Sequence, residues 1–139
     1  MSLFNVFGIS GSGMSAQSVR LNLTASNIAN SESVARSPED AYRARQPVFQ
    51  TILDGMASQA NNSSGGVRTV DIAESDTDAE KRYAPNHPLA DEAGYVYASN
   101  VNTVEEMANM ISASRSYQQN VEVLNTSKEM LLRTLRLGE

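Results

Sequence analysis

Cysteine and tryptophan are absent from this 139-residue chain, and histidine occurs once, at His87. Without a thiol there is no disulfide framework and no cysteine-based zinc site. With a single imidazole, followed by Pro88, a zinc site or a Ser-His-Asp triad has too few parts. No run of about 18 apolar residues occurs, so no membrane-spanning helix is expected. There is no stripe of Lys or Arg either, and the formal net charge is −5, which argues against nucleic acid as a partner. The opening Met1-Ser-Leu-Phe-Asn-Val-Phe7 has no basic n-region and no small-residue cleavage site, so a secretory signal peptide is not expected. The Gly-Lys-Ser/Thr of a Walker loop is also missing.

Two patterns resemble ligand sites and fall short of them. Gly11-Ser-Gly13-Met-Ser-Ala16 matches the dinucleotide fingerprint spacing, but no strand–helix units follow to build a parallel sheet. Glycines feeding a helix start are the favoured reading. Between Asp71 and Glu92, seven acids stand against Lys81 and Arg82, which accounts for the whole negative excess. That run lacks the turn glycine and terminal Glu of a calcium loop and reads as a solvated turn. No catalytic residue, metal ligand or cofactor is therefore expected.

What is present is helical patterning at the two ends. Residues 102–139 contain Val104, Met107, Ile111, Tyr117, Val121, Leu124, Leu131 and Leu135, separated mostly by threes and fours, uninterrupted by proline. Thr103-Val-Glu-Glu106 reads as a capping box at the start, and Gly138 as the stop. The helix expected near residues 103–136 would be about 50 Å long, more than one small core can cover. Val123, Met130 and Leu137 recur at sevens on a second face, which calls for a second partner helix. The step from Ser114 to Tyr117 makes the main stripe drift. The part through about Tyr117 is therefore expected to pair with the N-terminal helix of its own chain, and the rest to pack among several chains.

Near residues 10–30, Met14, Leu21 and Ile28 are spaced by seven with Ser18 and Ala25 between them, a heptad-like seam lined by small residues. Ser, Gly, Asn and Thr dominate, so this helix is expected to be marginal unless packed. The chain then divides into residues 1–36, a β-rich region at 37–101 and the helix at 102–139. Ser37-Pro38-Glu39-Asp40 is a turn or helix start. Residues 48–53, 67–72 and 95–98 read as strands. Residues 59–66 read as a flexible loop.

Ala25-Ser-Asn-Ile-Ala-Asn30 resembles the N-terminal signature of the bacterial flagellar axial proteins, the rod and hook group. Tyr83-Ala-Pro-Asn-His-Pro-Leu-Ala-Asp-Glu-Ala-Gly-Tyr-Val96 and Asn100-Val-Asn-Thr-Val-Glu-Glu-Met-Ala-Asn-Met-Ile111 are similar to the proximal-rod members. So are Ser114-Arg-Ser-Tyr-Gln-Gln-Asn-Val-Glu-Val-Leu-Asn125 and Met130-Leu-Leu-Arg-Thr-Leu135. The resemblance runs nearly end to end and is weakest at 31–40 and 59–66. It implies a mainly α fold, with the terminal helices packed as an antiparallel coiled-coil-like pair around a small β-rich middle region. It also implies a non-enzymatic subunit of the proximal rod, the drive shaft across the periplasm, exported by the flagellar type III apparatus without a cleaved signal. Its partners would be copies of itself, other proximal and distal rod proteins and the rod-base adaptor. Met14, Leu21, Ala25 and Ile28 are then expected to face Met107, Ile111, Val121 or Leu124 of a helix partner, and Asn27, Tyr117, Leu131 and Leu135 to lie at subunit or helix interfaces as well. Val123, Met130 and Leu137 are expected to face another subunit. The rival readings are a soluble helical adaptor or export chaperone, whose second stripe binds a transient client, and a small nucleotide-binding enzyme using the glycines at 11 and 13.

Overall fold

Two helices of 27 and 34 residues, α1 (Leu3–Ala29) and α2 (Thr103–Arg136), enclose a small antiparallel β region. The structure, a computed structural model, describes residues 3–54 and 64–136. The class is the mainly α one that the sequence implies. In order, the strands are β1 (Val34–Ala35), β2 (Arg45–Asp54), β3 (Ser64–Glu74), β4 (Glu80–Tyr83) and β5 (Tyr95–Ala98). Strand β5 sits between β1 and β4 in a three-stranded sheet, and β2 pairs with β3 alone. That second pair runs in register from Arg45 opposite Glu74 to Asp54 opposite Ser64. A shift between Val48 and Phe49 leaves Val70 as the extra residue of a bulge.

The helix ends differ in what closes them. Asn102, outside the helix, accepts from the amides of Val104 (3.1 Å) and Glu105 (3.4 Å) through its side-chain oxygen, and its carbonyl takes the first helical bond from Glu106. Asn102 is therefore the N-cap, and the Thr103 box expected from the sequence is displaced by one residue. Glu105 and Glu106 lie in the first turn of α2 and Arg133 and Arg136 in the last, matching the helix dipole. Helix α1 has neither an acidic first turn nor a basic last turn. Side chains reinforce its end instead: Asn30 donates to the Ser26 carbonyl and Ser31 to the Ile28 carbonyl, beside the backbone amides of the same two residues, and Ser33 closes the following turn by donating to the Asn30 carbonyl. The expected stop at Gly138 lies outside the described residues.

Helix α1 begins at Leu3, well before the residue-10 start that composition suggests. Gly11 and Gly13 thus sit inside a helix rather than ahead of one. Gly13 has a packing reason: a Cβ built there would stand 3.0 Å from the Asn120 side-chain nitrogen, so α2 approaches closely at this point. Arg20 donates to the Asn109 side chain at 3.1 Å. Moving forward along α1 from Gly13 to Arg20 moves backward along α2 from Asn120 to Asn109, so the helices are antiparallel. The paired strands β2 and β3 lean on α1, with the Val67 amide donating to Ser12 at 3.2 Å.

Among the described residues, no large apolar side chain forms a centre. The buried apolar residues are Ala16, Ala41, Ala44, Ala98, Ala113 and Val96. The chain exposes 9838 Å², whereas a compact monomer of this mass would expose roughly 7,000 Å².

Candidate assembly interface

The seam between α1 and α2 is built from small and polar groups. On α1, Ser10, Ala16 and Thr24 are buried; on α2, Glu106, Ala113 and Ser127 are buried, and Asn120, half-buried, meets Gly13. Glu106, Ala113, Asn120 and Ser127 are spaced by seven, so they form one line along α2. Met110, Leu124 and Leu131 flank that line, half-buried. Small side chains let the backbones approach, and two of the polar ones bond back within α2: Ser127 donates to the Val123 carbonyl and Asn120 to the Ser116 carbonyl. The seam continues to Ser127, ten residues past the Tyr117 limit expected from the sequence.

The large apolar side chains lie elsewhere. Val104 is 75% exposed, Met107 54% and Ile111 56%. They share a stripe turned away from α1, contrary to the expectation that the first half of the helix spends its apolar residues on its own N-terminal partner. The physical reason is the seam line itself: Glu106 and Ala113 occupy the inward positions, and a helix cannot turn both sets toward one neighbour. Further along, Val123, Met130, Leu132 and Leu135 are exposed as well, and Tyr117 is borderline. A shallow groove lined by Gln119, Val123, Thr126, Ser127 and Met130 marks this lower patch. Of the other expected interface residues, Met14, Leu21, Ile28 and Val121 are half-buried and Ala25 is exposed. Leu137 lies outside the described residues.

Asn27 serves a purpose that hydrophobic periodicity does not reveal. It is fully buried, at 0% exposure. Its amide nitrogen donates to the Arg45 carbonyl at 2.9 Å, and its oxygen accepts from the Arg45 amide at 3.0 Å and the Tyr42 hydroxyl at 3.0 Å. One side chain thereby fastens the end of α1 to the start of β2. A second asparagine, Asn100, does the same at the other side of the β region, accepting from Ala44 and donating to the Thr77 carbonyl. The signal for both was present in the signature segments, as a polar residue in an otherwise apolar or helical context.

The loop from 84 to 94 is folded around Asp91. Its carboxylate accepts from the amides of Tyr95 (2.8 Å) and Ala93 (2.9 Å). Donation from Tyr95, partly opposed by desolvation and supplemented by Ala93, the Lys81 charge and the Tyr97 hydroxyl, holds this carboxyl below its ordinary value of 3.8. Gly94 takes φ of 80° to close the turn, which a side chain would strain. His87 accepts from the Leu89 amide at 3.1 Å, a local loop role.

Comparison with known proteins converges on one group. Residues 8–35 match the family described as flagella basal body rod protein, and residues 92–137 match the C-terminal family of flagellar basal body rod FlgEFG proteins. Over 139 residues, covering 100% of both chains, the sequence is 50% identical to flagellar basal-body rod protein FlgC of Yersinia enterocolitica and of Salmonella typhimurium. It is 45% identical, again over 100% of both chains, to FlgC of Buchnera aphidicola from Acyrthosiphon pisum. The two matched segments take in most of α1 and all of α2, the elements that carry the seam and the outward apolar face, and the chain belongs to the FlgC family of flagellar basal-body rod proteins, which are structural components of the basal-body rod and not enzymes.

Proposed function

We propose that the chain, as a rod subunit, polymerises by burying the outward apolar face of α2 between the helices of neighbouring subunits. The observation that carries this is the inversion of the helix pair: small and polar residues inside, Val104, Met107 and Ile111 outside. Covering the exposed part of each such side chain contributes about 1 kcal/mol. Association costs at least about 4 kcal/mol, so one stripe on one neighbour is marginal and several neighbours are favoured. An open helical array supplies them.

Within that reading, α1 and α2 act as one helical unit, an antiparallel coiled-coil-like pair, with the region 37–101 mounted between them. The partners are copies of the same chain and other rod proteins, proximal, distal and at the rod base. Torque passing along the periplasmic drive shaft would be carried by these helix contacts. A poorly capped α1 and a core of alanines suit export in unfolded form through the flagellar type III apparatus, with order completed on assembly. Family membership favours this reading over a soluble adaptor or chaperone. Replacing Met107 and Ile111 together by Glu should leave the isolated subunit as helical as before and abolish its incorporation into basal bodies and hence swimming. Normal swimming with that double variant would sink the proposal.

A further inference from the structure

Two segments of α2 carry exposed side chains at the same spacing. Val104, Met107 and Ile111 are three and then four residues apart, and so are Val123, Thr126 and Met130, nineteen residues further along. Val123 is 47% exposed and Met130 48%, close to the values for Met107 and Ile111. The later segment lines a mostly apolar groove of about 530 Å³, whereas the earlier one presents a row of large side chains to solvent. Row and groove are therefore complementary in shape and chemistry, and neither is covered by the described residues of its own chain.

We propose that in the rod the row of one copy lies in the groove of a second copy, the two α2 helices running parallel and staggered by nineteen residues, about 28 Å. The order of the gaps selects the direction. Both segments step by three and then four, so a parallel pair meets residue for residue: Val104 on Val123, Met107 on Thr126 and Ile111 on Met130. In an antiparallel pair the gaps fall out of step. Charge agrees with the same register. In a parallel pair, the residue just before one core position faces the residue five places further along the partner. Glu129, just before Met130, is thereby set opposite Arg115 of the other copy. Arg115 is exposed and has no ion pair among the described residues. Glu129 holds Arg133 through Oε1 at 2.9 Å and can accept a second donor through its other oxygen.

Row and groove are different parts of one helix, so each copy offers its row to one neighbour and its groove to another. Such a contact repeats in one direction as an open array. The exposed area calls for this double use. The chain exposes roughly 2,800 Å² more than a compact monomer of its mass, whereas a standard interface takes about 800 Å² from each partner. One interface per chain leaves most of that excess in water, and a head-to-tail contact supplies two.

This contact rests on the assembly proposed above, and the two can fail separately. Because the chain has no cysteine, Ile111→Cys and Met130→Cys can be introduced together in bacteria whose rods contain this chain. Basal bodies are isolated, oxidised and run on non-reducing gels. The expected result is a chain-to-chain disulfide that neither single-cysteine variant gives. Ile111→Cys with Val123→Cys, out of register by one heptad or about 10 Å, should give none, because a disulfide spans no more than about 7 Å between Cα atoms. Incorporation without the first cross-link, or with the second in its place, overturns the proposed register and leaves the assembly reading intact. Absence of the unaltered chain from basal bodies overturns both. As a second measurement, Arg115→Glu and Glu129→Arg should each lower incorporation at limiting expression about fivefold, and the two together should restore it to within about twofold. Single reversals without effect, or a double variant no better than either one, overturn the contact even where the cysteine variants fail to assemble.

Discussion

The two sides of helix α2 solve opposite problems. Its inner line of Glu106, Ala113, Asn120 and Ser127 is small and polar, lies close to α1 and tolerates little change in size. Its outer stripe of Val104, Met107 and Ile111 is large and apolar and stands in water. In an ordinary monomer the assignment would be reversed, because large apolar side chains gain most from burial. The arrangement makes sense when the subunit's own helix pair needs only shape and polar matching, while the larger hydrophobic gain is reserved for contacts between subunits. A subunit of this kind is poorly stabilised alone and well stabilised in company.

That contrast can be broken from the inside first. Asn27→Ala removes three hydrogen bonds and leaves the Arg45 amide and carbonyl without their buried partner. A loss of about 2–3 kcal/mol is expected, large enough to unfold the junction of α1 and β2, and denaturant unfolding of the purified subunit measures it. Next in size is Gly13→Val, which pushes a branched side chain into Asn120. Overpacking of this kind costs about 1–3 kcal/mol, read as loss of helicity by circular dichroism. By contrast, the Met107 and Ile111 substitutions proposed above should leave both measurements unchanged. If Gly13→Val were as mild as they are, the seam would not be the tight side of the helix.

The smallest effect expected concerns the Asp91 loop, which belongs to neither side and calibrates the comparison. Its carboxyl is held low when folded, so ionised Asp91 favours the folded loop above its unfolded value. That contribution disappears as pH falls through the lower, folded value. Asp91→Asn should therefore lower loop protection at neutral pH, measured by amide exchange at Tyr95 and Ala93. The difference from the unaltered protein should vanish once the pH lies below that folded value. A difference that persists unchanged in acid would remove the carboxylate from this role.

Much of this architecture is legible in the residues, and the misses share a cause. Strands β2, β3 and β5 announce themselves through β-branched and aromatic runs at 48–53, 67–72 and 95–98. Strand β4, Glu-Lys-Arg-Tyr, has every side chain exposed and so shows no alternation to detect. Strand β1 is two residues long and exists only through pairing with β5. At 59–66, residues 59–63 lie outside the described residues, whereas Ser64, Gly65 and Gly66 belong to β3. The stripe of Val104, Met107 and Ile111 was visible as an apolar periodicity, but periodicity reports a face without saying what covers it. Reading the largest residues as the intramolecular seam failed because close helix approach selects small ones, and Gly13, Ala16 and Ala113 carry no hydrophobic signal strong enough to compete. The buried role of Asn27 depends on Arg45 and Tyr42 arriving from elsewhere in the chain, which no local pattern encodes.

The central claim is that the outer face of α2 is left open for other subunits while the inner seam is complete in one chain. An image of the assembled rod containing this chain, at a resolution that shows side chains, tests it directly. Val104, Met107 and Ile111 are expected to be buried against neighbouring helices, with Gly13 still against Asn120 within each subunit. Finding that stripe in contact with solvent, or the seam exchanged between chains, would contradict it.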